Sequence, residues 1–216
     1  MNELTSLLWQ STLETLYMVA VAALFSACGG LALGLLLVLT RPNGILAAKW
    51  LNRFLETITN MARSIPFIIL LVAIVPFTRF VVGTSIGTDA AIVPLVVGAI
   101  PYVARLIETA LLEVDGGVIE AAVTLGATPW QIIWNVYLPE GLPALIRAVT
   151  IMSLTLISYS AMAGAVGGGG LGDLAIRYGY QRFRPDVMIS TVAVLIIIVQ
   201  TFQFAGNRLA RTFERR

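Results

Sequence analysis

Residues 15–40 contain no charged side chain. A spanning helix needs roughly 20 mainly apolar residues, because each adds about 1.5 Å toward a hydrocarbon slab about 30 Å thick. A run this long and this apolar reads as a membrane span. The composition agrees. Apolar residues make up 58% of the chain and charged residues 12%, with a mean hydropathy of +0.88. An ordinary soluble domain is about 25% charged, so the expected solvent is lipid.

Four more segments are long and apolar enough, at about residues 55–77, 90–112, 142–166 and 187–207. The expectation is an all-α, polytopic membrane protein with five transmembrane helices in a single domain, residues 1–216. On the first span, Gly29, Gly30 and Gly34 sit with Ala27 and Ala32, small residues that let a second helix come close. Pro66 and Pro76 fall in the second span, where neighbouring helices can tolerate them. Arg105 and Glu108 stand three apart near the far end of the third, placed to satisfy each other or to line the cavity. No carboxylate falls at the middle of a span, which argues against a transporter working alone on an ion gradient.

Several chemistries are excluded early. The chain has no histidine, and its one cysteine is Cys28, so neither an internal disulfide nor a Cys/His zinc cluster is available. Cys28 reads as a small residue in a helix. There is no G-x-x-x-x-G-K-[ST] phosphate loop, so any ATP binds elsewhere. Gly167 to Asp173, "GGGGLGD", lacks the lysine. It reads as a flexible helix end or as a loop that meets a binding protein. The first Lys or Arg is Arg41, so the N-terminal segment lacks the positive start of a secretory signal and is expected to be retained.

Lys and Arg set the orientation. Arg41, Lys49, Arg53 and Arg63 lie around the first link, and Arg208, Arg211, Arg215 and Arg216 in the tail. Five spans put both groups on one side, assigned to the cytoplasm. The N-terminus then faces outward, with Arg79, Arg177, Arg182 and Arg184 on the outer side. The link at residues 115–141, "DGGVIEAAVTLGATPWQIIWNVYLPEG", is cytoplasmic on this reading.

That link is not shapeless. Asp115-Gly116-Gly117 signals a turn or a helix start, and "VIEAAVTLGA" favours a short helix. Thr128, Pro129 and Gln131 have the spacing of a capping box with proline in the first turn of a second helix. "QIIWNVYL" gives that helix one apolar side, and Pro139 and Pro143 are expected to break it before the fourth span. Gly126-Ala127 makes a small corner between the two. Two uses fit: an amphipathic pair lying on the bilayer, or a rigid knob offered to a cytoplasmic partner.

The spacing resembles the EAA loop of ABC importer permeases: E-A-A, three residues, Gly, nine residues, Ile, one residue, Leu-Pro. Glu120, Ala121, Ala122, Gly126, Val136, Leu138 and Pro139 stand at those places, with Val136 replacing the isoleucine. "RSIPFIILLVAIVPFTR", "VGTSIG", "IEAAVTLGATPWQI" and "YSAMAGAVGGGGLGDLAIRYGYQRF" further resemble the methionine-type permeases of this family.

The resemblance implies a type I importer permease fold in a bacterial inner membrane, with the link between helices 3 and 4 docking on a separate ATPase. Its coupling residues would be Glu120, Ala121, Ala122, Gly126, Ala127, Val136, Leu138 and Pro139. It implies a second copy of the chain, since five helices enclose a pathway poorly and two-fold pairing is the usual solution. It further implies two ATPase subunits holding ATP and magnesium, a lipid-anchored or periplasmic binding protein, and methionine as substrate. No cofactor on this chain and no nucleic-acid partner are implied. Another small amino acid or solute would suit the same architecture. Met162, a bulky side chain among Ser160, Ala161, Ala163 and Gly164, is a candidate gate or a packing methionine.

Overall fold

The computed structural model describes residues 3–214. Arg215 and Arg216, counted above toward the cytoplasmic charge, lie outside the described residues. Among the described residues every regular element is helical. In chain order they are α1 (Glu3–Thr40), α2 (Lys49–Arg63), α3 (Phe67–Ala73), α4 (Val75–Val82), α5 (Thr88–Leu112), α6 (Gly116–Thr124), α7 (Pro129–Ile132), α8 (Leu138–Glu140), α9 (Leu142–Gly164), α10 (Gly170–Leu174) and α11 (Pro185–Phe213). Wider π turns cover Ile133–Tyr137 and Ala175–Tyr180. Among the described residues four helices, α1, α5, α9 and α11, are long and apolar enough to cross a membrane, and the bent pair α2 and α3 makes a fifth if it is taken as one span.

Two expectations change. The first helix starts at Glu3, well before residue 15, because its early turns have work of their own. Leu4, Leu7 and Leu8, at helical spacing, pack on a cluster of Leu171, Leu174 and Val187. Glu14, one residue before the charge-free stretch, therefore lies inside the first helix. The second span is not one helix. Pro66 lacks an N–H and disfavours helical geometry at Ile65, and the chain breaks at Ser64-Ile65-Pro66 before restarting at Phe67. Pro76 then sits in the first turn of α4, where its missing donor costs nothing.

The chain forms two compact units, and the four long helices contribute to both. The unit of residues 27–64, 100–151 and 204–216 is built on close helix approach. A Cβ on Gly30 would stand 2.5 Å from Val103 Cγ1, and one on Gly34 would stand 2.8 Å from the Ala104 carbonyl oxygen. The small residues of α1 thus admit α5, as their spacing suggested. Asn52, 5% exposed, donates from Nδ2 to the Leu37 carbonyl at 2.8 Å and to Thr40 Oγ1 at 3.1 Å, which satisfies the end of α1.

Arg105 and Glu108 do pair, and Glu108 is buried. Arg105 also donates to Asn60 Oδ1 at 3.1 Å and lies 4.0 Å from Glu56. These two partners were invisible in an i,i+3 reading. Cys28 is helical but exposed.

The unit of residues 1–26, 65–99 and 152–203 holds the leucine cluster around Leu171 and Leu174. Phe67 stacks on Tyr159 with ring centroids 4.2 Å apart, worth about 1 kcal/mol beyond burial. Tyr17 donates to Asp89 Oδ1 at 3.0 Å, tying α1 to the start of α5.

Candidate functional site

The polar link folds as two short helices around a corner. Asp115 opens α6 by accepting the Gly117 N–H at 2.7 Å. The helix closes at Gly126, where φ is +79°, a region that favours glycine. There the Gly126 N–H donates to the Val123 carbonyl and the Ala127 N–H to the Ala122 carbonyl, at 2.9 and 3.1 Å. This pair of bonds is the Schellman closure of a helix. It gives a physical reason for the motif spacing. Ala122 supplies the accepting carbonyl, and Gly126, four residues on, supplies the left-handed turn.

The next helix begins with the expected capping box. Thr128 Oγ1 accepts from the Gln131 N–H, and Gln131 Oε1 accepts from the Thr128 N–H at 2.8 Å, with Pro129 in the first turn. Pro139 and Pro143 do not break the helix as expected. Pro139 follows the π turn of Ile133–Tyr137, and Pro143 lies in the first turn of α9. The interruption falls at Gly141. A proline ring clashes with the carbonyl four residues back; for Pro139 this is Asn135, inside the widened turn.

Burial divides the motif in two. Ile132, Ile133, Val136 and Tyr137 are buried, and Leu138 is half-buried. Burial pushes the Tyr137 hydroxyl up from its ordinary value, with Arg41 pulling against it, so the group stays neutral. In contrast, α6 has no buried residue. Glu120, Ala121, Gly126 and Pro139 are exposed, with Ala122 and Ala127 half-buried. Val123 is 50% and Leu125 88% exposed. The sequence reading missed these two apolar side chains. Their signal was available: they are large apolar residues in a polar link.

A cleft of about 190 Å³ lies beside the segment, lined in part by Glu113, Glu140, Arg147 and Glu214. Arg147 donates to Glu214 at 2.9 Å and stands 3.8 Å from Glu113.

In the other unit, Met162 is 45% exposed in the last turn of α9, while Ala163 beside it is 1% exposed and Gly164 is buried. The helix end is packed and Met162 points out of it. Gly167 to Asp173 is not the flexible end expected. Gly167, Gly169 and Gly170 hold φ of 91°, 78° and 72°, and the Gly170 and Leu171 amides donate to Glu14 and Thr15. Asp173 pairs with Arg177 one turn on. Among the described residues no three His, Cys, Asp or Glu side chains converge to hold a metal ion.

Comparison with known proteins bears on this arrangement. The chain is 54% identical to the probable D-methionine transport system permease protein MetI of Vibrio cholerae, over 98% of this chain and 94% of that protein. It is 51% identical to the D-methionine transport system permease protein MetI of Escherichia coli K12, over 97% of each. A solved structure of the MetNI methionine ABC transporter in inward-facing conformations superposes with a TM-score of 0.97 at 51% identity, covering 100% of both chains. The family described as binding-protein-dependent transport system inner membrane component matches residues 30–216. With its apolar helices and its capped, solvent-exposed link, the chain belongs to that family.

Proposed function

We propose that this chain is the membrane-spanning subunit of an ATP-driven methionine importer, working as a pair with two separate ATPase subunits and a substrate-binding protein. The observation that carries the mechanical part is α6. It is a short, doubly closed helix with no buried residue and with Leu125 almost fully exposed. Such a helix left bare in water would be a liability; against an ATPase groove it is a docking face. Glu120, Ala121, Gly126, Val123 and Leu125 present that face. Val136 and Tyr137 fix its base. Ala122, Gly126 and Ala127 hold the corner rigid, so force passes without being absorbed by a loose loop.

The orientation follows the same logic. Arg41, Lys49, Arg53, Arg63, Arg208 and Arg211 lie around the first link and in the tail, against Arg79, Arg177, Arg182 and Arg184 around the second and fourth links. This charge bias supports reading the richer links as cytoplasmic, with the C-terminus inside and the N-terminus outside.

ATP draws the ATPase subunits together, and the two copies of α6 follow. The copies of α9 separate at the ends that carry Met162, and substrate enters from the binding protein. Hydrolysis returns the cavity to the inside. Met162, exposed on a packed helix end, is the gate. The test is reconstitution with the ATPase and binding protein in liposomes. Uptake of labelled methionine that needs ATP and exceeds that of other amino acids supports the proposal. ATP-dependent uptake of another solute in its place overturns the substrate, and uphill uptake by the chain alone overturns the mechanism.

A further inference from the structure

Two side chains of α1 perform a task that the transport cycle above does not use. Glu14 Oε2 accepts the Gly170 N–H at 2.8 Å, and Thr15 Oγ1 accepts the Leu171 N–H at 2.8 Å. Gly169, which precedes α10, has no side chain with which to cap it. Thr15 is 1% exposed, and Gln10 donates to the other Glu14 oxygen at 3.1 Å. The glycines are shaped to this contact. A Cβ on Gly169 would stand 3.1 Å from Glu14 Oε2, and one on Gly170 would stand 2.6 Å from Thr15 Oγ1.

On its other side α10 meets α9 backbone to backbone. A Cβ on Gly172 would collide with the Ala161 carbonyl, and one on Gly164 with the Asp173 amide and Gly172. Ala161 and Gly164 bracket Met162 in the last turn of α9. Beyond the Glu14 and Thr15 side chains themselves, the path to the turn that carries Met162 therefore runs through backbone contacts. Contacts packed this closely pass displacement on.

We infer that Glu14 and Thr15 are positioning residues for the gate, holding α10 against α9 so that Met162 stays in the closed register. The inference rests on the reading of Met162 as the gate. The glycine run is the device that lets α1 reach the backbone, and its role is rigidity.

The test uses the complete complex in liposomes loaded with labelled methionine and without ATP. Glu14→Ala and Thr15→Val are expected to raise leak about tenfold, the scale of one lost charge-assisted or buried hydrogen bond. Amide exchange over residues 169–174 rises by a similar factor, with ATPase assembly intact. Glu14→Gln and Thr15→Ser, which keep an acceptor, stay near the parent. Met162→Ala is run beside them. Leak from Met162→Ala without leak from Glu14→Ala or Thr15→Val overturns the positioning role alone. A tight Met162→Ala removes the gate itself, and the inference with it.

Discussion

The amide of Ala127 donates to the carbonyl of Ala122 at 3.1 Å, across the corner that Gly126 turns. Fixed in this way, α6 projects as a rigid body instead of trailing as a loop. The glycine is required for its backbone, because a Cβ at Gly126 would meet nothing within 4 Å.

Gly126→Ala is therefore expected to weaken the corner by about 1–2 kcal/mol through its left-handed φ alone, with membrane insertion unchanged. Gly126→Arg adds bulk to the exposed face proposed for docking and is expected to abolish co-purification of the ATPase. Pull-down yields from the same membranes measure both. Equal yields from the parent and Gly126→Arg would separate the corner from coupling.

Gly34→Leu forces a side chain into the contact with Ala104 and Ile107. Overpacking of this kind costs about 1–3 kcal/mol. Thermal unfolding in detergent is expected to show a lowered midpoint, whereas Gly116→Ala, with open space around it, shows little change.

Arg105→Met leaves the buried Glu108 carboxylate without its partner. The expected loss is about 3 kcal/mol, as for a broken buried pair. Arg105→Met with Glu108→Leu recovers part of it, because the pair is then replaced and not merely broken. A double variant as unstable as the single one would show that Glu108 matters for some other reason. Denaturation of the three variants in one detergent gives the comparison.

What the sequence disclosed, and what it hid, follows from distance along the chain. The caps of α6 and α7 were readable because Asp115, Thr128 and Gln131 bond to residues two or three positions away. The apolar runs gave the spans for the same local reason. Pro66 was misjudged because tolerance of a proline depends on neighbours that the sequence does not display; here the chain breaks. The early start of α1 and the anchoring of the glycine run share another cause. Leu4 and Leu7 need Leu171 and Leu174, and Glu14 needs the Gly170 amide, 156 positions away. A single sequence shows no partner at that range. Leu125 differs: a large apolar residue in a polar link was visible in the sequence, and only its 88% exposure needed the fold.

The role of α6 is tested most directly by cross-linking from its tip. In a Cys28→Ala background, which removes the exposed native thiol, Leu125→Cys is introduced and the assembled complex is treated with a short bifunctional thiol–amine reagent. The account predicts a cross-link from position 125 to the ATPase chain, formed only in the complex, and loss of methionine uptake once it forms. Position 125 labelled by an impermeant reagent from outside the cell, or an assembled complex with no such cross-link, would contradict it.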